Sequence, residues 1–208
     1  MSPVRLRDFD NSWYRPGRSR AWQIAWFFGG LPLLRCSLLP SSRLRVWLLR
    51  LFGAQVGMGA VIKPGVRVKY PWHLKLGDDC WLGEDCWIDN LAAVRLADNV
   101  CISQGAYLCT GNHDWSDPRF GLSVEPIRLG DGSWVGSRAF IGPGVVLGEG
   151  AVAGAGSVVT RNIPDFEIFA GNPAVFVRRR RISEKSPRRP DLFEVTNPAQ
   201  SVRPGVAR

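Results

Sequence analysis

Histidine is scarce in this chain. His73 and His113 are the only two in 208 residues, too few to supply a three-histidine metal centre or to complete a zinc finger. Cysteine is sparse and unpatterned. Residues 36, 80, 86, 101 and 109 make an odd number without a C-x-x-C spacing, which in a chain this long speaks against a disulfide framework and fits a reducing cytoplasm. No G-x-x-x-x-G-K-[ST] is present, and no G-x-G-x-x-G follows a strand, so nucleotide hydrolysis has no support. Long apolar runs are missing too. The best, Ala21–Leu34, is interrupted by Gln23, Gly29, Gly30 and Pro32 and ends at Arg35. A bilayer span needs about 20 apolar residues, so this run suits a helix lying on the protein or on a membrane interface. The N-terminus does not have the plan of a signal peptide. Nine Trp and ten Phe exclude wholesale disorder.

Charge is present but unevenly placed. Residues 1–52 carry nine arginines against two acids, and residues 178–208 carry nine bases against three. The middle, 53–177, is mildly acidic, with nine bases and thirteen acids. A nucleic-acid binder would spread its bases over the folded part, so the basic ends speak for solubility or an anionic membrane surface instead.

The acidic middle follows a six-residue period. From Leu129 it reads LGDGSW, VGSRAF, IGPGVV, LGEGAV, AGAGSV, VTRNIP. Aliphatic or small residues fall at 129, 135, 141, 147, 153 and 159, mostly with Gly next, and small or β-branched residues four places on. The same template fits upstream from Val56, Ile62, Val68, Leu76, Leu82, Ile88, Leu96 and Ile102. A helix needs a period of 3.6 and a half-buried strand needs 2; a strict six suits short strands joined by tight corners. Three hexapeptides close one triangular coil, and coils stack at strand spacing, about 4.8 Å. Counting from 56 gives about five coils, ending near Pro164. The glycine after each aliphatic position is expected to let the backbone turn the corner.

The period slips by two residues between Val68 and Leu76 and again between Ile88 and Leu96, and by far more between Leu108 and Leu129. That last surplus, Thr110–Pro126, is an extruded loop on a rigid scaffold, a usual location for function. It carries His113, whose imidazole can accept a proton at neutral pH; the bland alternative is a structural loop histidine. The coil count puts Ile88 under Leu108. Asp89 and Asn90 then lie beneath Cys109 and Thr110, at the root of the His113 loop. A carboxylate there can orient an imidazole and an amide can hold a sugar hydroxyl, or the pair is an Asp-Asn turn satisfying its own backbone. Asp114 and Asp117 are further candidates for orienting His113.

The stretches LFGAQVG, KPGVRVKYPWHLKLGDDCWLGEDCWIDNLA, NVCISQGAYLCTGNHDWSDPRF and AGAGSVVTRNIPDFEIFAGNPA resemble the hexapeptide-repeat acyltransferases. Within them the likeness is to the colanic-acid or exopolysaccharide O-acetyltransferases, cousins of galactoside and maltose acetyltransferases. The resemblance covers residues 51–174. It implies an all-β left-handed parallel β-helix, with His113 as general base, acetyl-CoA as acyl donor and a sugar acceptor. It also implies a homotrimer with the site in the groove between neighbouring helices, and no metal. Acceptor-side candidates are Asp89, Asn90 and Asp114. Positions matching acetyl-CoA contacts are Trp134, Ser137, Ala155, Thr160 and Arg161, with Gly171, Asn172 and Pro173 beyond. The family usually follows AGNPA with Lys or Arg, and here Val175 stands in that place. Arg161, Arg178 or Arg179 would then have to meet the CoA phosphates.

Residues 1–52 form an N-terminal arm and helical cap. Within it Ser41–Phe52 reads as an amphipathic helix with apolar 44, 47, 48 and 51, capped by Ser41 or Ser42 and covering the open first coil. Residues 53–164 form the β-helix, 165–182 a closing segment with a short helix at VFVRRRRI, and 183–208 a disordered basic tail. The reading is an acetyl-CoA-dependent sugar O-acetyltransferase of the cytoplasm, in contact with its membrane face through the basic apolar N-terminus, without nucleic acid. The alternative is a non-catalytic scaffold or membrane-associated subunit.

Overall fold

The computed structural model describes residues 3–39 and 41–183; the tail expected at 183–208 lies outside them except for Ser183. Three parallel sheets form the faces of a prism. Strands Gln55–Val56, Leu74–Leu76, Val94–Leu96, Ile127–Leu129 and Val146–Leu147 make the first face. The second holds Val61–Ile62, Trp81–Leu82, Cys101–Ile102, Trp134–Val135, Val152–Ala153 and Glu167–Gly171. The third holds Arg67–Val68, Trp87–Asp89, Tyr107–Cys109, Phe140–Ile141 and Val158–Val159. Five coils are complete, and a sixth is begun by the bridge from Leu147 to Ile163.

The six-residue period places one aliphatic side chain per strand inside. Ile62, Leu82, Ile102 and Val135 on the second face, with Val68, Ile88, Leu108 and Ile141 on the third, are all 0% exposed. Each contributes about 1.5–3 kcal/mol of gross burial. Ile88 pairs with Leu108 and Asp89 with Cys109, as the coil count requires. The three surpluses share the corner between the third and first faces, hereafter the insertion corner.

The glycine after each aliphatic position has another cause than the one expected. A Cβ on Gly136 would stand 2.5 Å from the Ala155 amide nitrogen of the next coil, so close stacking requires glycine there. The left-handed turn residue comes later in the hexapeptide, as at Gly65 (φ 78°) and Asp85 (φ 57°).

Helices close the N-terminal end. α1 (Arg20–Ala25), a π-helical turn (Trp26–Gly30) and α2 (Leu31–Arg35) run without a break, with Leu31 N–H reaching back to Trp26 O. Pro32 has no N–H to offer, and the widened turn accommodates it. Trp26 is fully buried and donates to Val68 O, pinning this segment to the first coil. α3 (Ser42–Leu51) covers that coil with Arg45, Val46, Leu48 and Leu49. The expected stripe at 44, 47, 48 and 51 is therefore wrong except at Leu48, since Leu44, Trp47 and Leu51 face outward. Arg45 is buried because it donates to the carbonyls of Leu34, Cys36 and Leu39, tying α3 to the preceding loop. Ser41 occupies the N-cap without a side-chain bond; Ser42 Oγ instead accepts from Ile62 N.

The closing helix is also corrected. Ala174–Arg179 is a strand, antiparallel to Glu167–Gly171. Val175, Phe176 and Val177 favour extended backbone, and the edge of the second face offers it a partner.

Candidate active site

The long insertion folds into a β-hairpin outside the prism. Gly111–His113 pairs antiparallel with Leu122–Val124, with His113 opposite Leu122. Its root is buried. The Thr110 hydroxyl donates to Asp89 O at 3.0 Å and accepts from Ala92 N at 3.0 Å, so the hairpin leaves the scaffold from a fixed point.

His113 Nδ1 lies 2.9 Å from the carbonyl oxygen of Phe120. A carbonyl can only accept, so Nδ1 carries the proton and Nε2 keeps its lone pair in the neutral ring. The Phe120 ring stacks on the imidazole at 4.3 Å and 7°, and Phe9 of the N-terminal arm lies against it at 5.6 Å and 59°. Neither phenylalanine belongs to the repeat, and no pattern in the sequence marks them.

The carboxylates expected to orient this ring are engaged elsewhere. Asp89 Oδ1 lies 2.9 Å from Lys69 Nζ, and Asp89 Oδ2 accepts from the Tyr107 hydroxyl. Burial pushes the Tyr107 phenol up, which keeps it a donor. Asp114 accepts from the backbone and hydroxyl of Ser116, which hold its carboxyl below the ordinary value. Asp117 is held down likewise by Arg119. These two acids shape the turn, not the imidazole. Asn90 is corrected as an acceptor contact: it is 0% exposed, takes Tyr70 N–H at 2.9 Å and donates to Tyr70 O at 2.7 Å. Its amide replaces the ladder bonds that the two-residue surplus interrupts. His73 Nδ1, 3.2 Å from Asn90 O, belongs to the same corner.

Beside the hairpin is a cleft of about 360 Å³ lined by Gly111, Asn112, Ser123, Glu125, Phe140, Gly142, Pro143 and Thr160. Of the expected donor positions, only Thr160 lies in it, with exposed Arg161 next along the chain. Ser137 and Ala155 occupy the following corner, where Gly156 N donates to Ser137 O. The turn Gly171–Asn172–Pro173 is close by, since Phe169 pairs with Ala153. Strand Val158–Val159 separates the two groups. Trp134 stands apart on the second face, half exposed, its Nε1 donating to Ser103 Oγ. Asn112, Ser123, Glu125 and Phe140 were not foreseen, because the cleft forms between the insertion and the coil it packs against.

A family model described as a hexapeptide repeat of succinyl-transferase matches residues 126–161. A relative named for colanic acid biosynthesis, acetyltransferase WcaF of Escherichia coli (strain K12), is 43% identical over 138 residues, 66% of this chain and 76% of that protein. The chain belongs to the hexapeptide-repeat acetyltransferase family. A galactoside acetyltransferase solved in complex with coenzyme A is 25% identical, with TM-score 0.68 over 78% of this acetyltransferase and 84% of that chain. A hexapeptide-repeat acetyltransferase from Vibrio cholerae shares the fold at TM-score 0.71, 23% identity and 80% and 96% coverage. The prism is thus the left-handed β-helix of these enzymes, and the scaffold reading falls. Among the described residues of the acetyltransferase, no cluster of His, Cys, Asp and Glu is able to hold a metal ion.

Proposed function

We propose that this enzyme moves an acetyl group from acetyl-CoA to a sugar hydroxyl in surface-glycan biosynthesis, with His113 as general base. One observation carries the reading: the Phe120 carbonyl holds the Nδ1 proton, which leaves Nε2 basic on the same hairpin whose Asn112 and Ser123 wall the cleft that holds Thr160. Nε2 takes the proton of the acceptor hydroxyl as its oxygen attacks the thioester carbonyl carbon. The C–S bond then breaks, and the leaving thiolate recovers the proton from the imidazolium. The products are the acetyl ester and free CoA. Val158–Val159 joins the corner of Ala155 to that of Thr160, and an extended pantetheine arm fits along such a strand. Incubating the protein with acetyl-CoA and a panel of sugars, nucleotide sugars and polysaccharide repeat units, with release of free thiol as readout, tests the reaction and identifies the acceptor. Thiol release with none of the panel, above the rate without protein, would refute it.

The homotrimer belongs to the same reading. The outward rows Val61, Trp81, Cys101, Trp134 and Trp87, Tyr107, Phe140, Val158 give two adjacent faces apolar surface that a neighbouring copy would cover. Light scattering at a threefold chain mass is the expected result.

Contact with an anionic membrane is supported by the cap. Phe28, Leu33, Leu38, Leu44, Trp47 and Leu51 are exposed, among Arg20, Arg35 and Arg43. No helix among the described residues is long and apolar enough to cross a bilayer. Sedimentation with anionic but not neutral vesicles, lost in Trp47→Ser with Phe28→Ser, checks this.

A further inference from the structure

The N-terminal arm reaches the catalytic hairpin from the far end of the sequence. Arg5 N–H donates to Pro118 O at 2.7 Å, across the hairpin tip. A 3₁₀ turn, Leu6–Asp8, follows, braced by the Arg5–Asp8 ion pair at 2.6 Å. It delivers Phe9 onto the His113 ring. From residue 3 to residue 13, Phe9 is the one side chain that is not exposed. Further along, Tyr14 donates to Leu91 O at 2.7 Å, and Pro16 O accepts from Trp72 Nε1 at 2.5 Å. The arm is therefore tied at both sides of Phe9, first to the hairpin and then to the insertion corner.

The hairpin needs such a tie. It stands outside the prism on three cross-strand pairs, and a two-stranded ribbon is at best marginal alone. Phe120 covers one face of the imidazole and its carbonyl restrains Nδ1, but both belong to the same hairpin and move with it. Phe9 comes from elsewhere and closes on the ring at a tilt, a favoured aromatic geometry.

We propose that Phe9 is a positioning residue. It holds the His113 imidazole against Phe120 in the orientation that keeps Nδ1 on the Phe120 carbonyl and Nε2 free to take a proton, and so links the arm to turnover. This rests on the reading of His113 as the base. The test uses the full chain with Phe9→Ala, Phe9→Leu and Phe9→Tyr, acetyl-CoA and an acceptor. Phe9→Ala should lower kcat about tenfold, the scale of one aromatic contact, with KM for acetyl-CoA unchanged. Tyrosine should restore the rate and leucine should do so in part.

A second measurement does not depend on activity. Two histidines give two imidazoles in a ¹⁵N-histidine spectrum, and His113→Ala assigns them. Wild type should show His113 protonated at Nδ1 alone, and Phe9→Ala should mix the tautomers. Wild-type kcat with an unchanged His113 spectrum in Phe9→Ala overturns the proposal and leaves the base assignment standing. A raised KM for acetyl-CoA with kcat held also overturns it, by placing Phe9 in the donor site. Turnover retained in His113→Ala overturns the base assignment instead, and Phe9 is then judged on the spectrum.

Discussion

His113 and Phe120 meet twice, once through the 2.9 Å contact from Nδ1 to the carbonyl and once through rings stacked at 4.3 Å. The two residues belong to one short hairpin, so the proposed base carries its own orienting group. Replacing His113 with alanine removes the proposed base without touching the prism. The expected result is a fall in kcat of about 10²–10⁴-fold, the usual range for general-base catalysis. Sedimentation and thermal unfolding should match wild type. Near-normal turnover in a well-assembled variant would exclude His113 from the chemistry.

Asn90 tests the opposite kind of role. Its amide completes the backbone of Tyr70 where the coil is interrupted. Asn90→Ala leaves a buried donor and a buried acceptor unpaired, at about 1–3 kcal/mol each. A clear drop in melting temperature should follow, and the folded fraction should keep its KM for acceptor. A normal melting temperature with a raised acceptor KM would restore Asn90 to the site.

The two kinds of residue were not equally legible. The inward positions could be read because an aliphatic side chain every six residues is a repeated physical demand, and Ile88 beneath Leu108 follows from counting alone. The same count set Asp89 and Asn90 at the root of the hairpin. It could not say where their side chains turn, since Lys69, Tyr107 and Tyr70 compete for them locally. Phe120 orients the His113 ring through a carbonyl that every residue type possesses, so no side-chain pattern announces it. Phe9 reaches His113 only through the tertiary path of the arm. α3 misled for another reason: it is apolar on both sides, and a helical stripe could not tell which side meets the coil. The closing segment VFVRRRRI misled because the open edge of the second face, a tertiary feature, decides its state.

Stacking makes some glycines irreplaceable for a reason other than φ. The Cβ of Gly136→Ala would press on the backbone of Gly154 and Ala155, with nothing flexible to yield. Overpacking of this kind costs about 1–3 kcal/mol. At Gly29, in the π-helical turn, a Cβ meets nothing within 4 Å. Gly29→Ala should be neutral or mildly stabilising. Equal melting temperatures for the two variants would show that the coils can spread to admit a methyl group.

Cys86 predicts how stability responds to alkali. Its side chain is 0% exposed within the prism. Burial, with a smaller contribution from Asp85, pushes the thiol from its ordinary 9.0 up to about 12. The folded state keeps a proton there that the unfolded chain releases, so rising pH favours unfolding. This part of the stability is intact below pH 9 and is lost progressively as pH climbs from 9 toward 12. Cys80 and Tyr107, also raised by burial, act in the same direction. Cys86→Ala removes one contributor. Its urea midpoint should start lower at pH 8, because a buried atom is lost, yet decline less steeply than wild type above pH 9. Parallel declines in the two proteins would mean that Cys86 ionises as readily in the prism as in the unfolded chain.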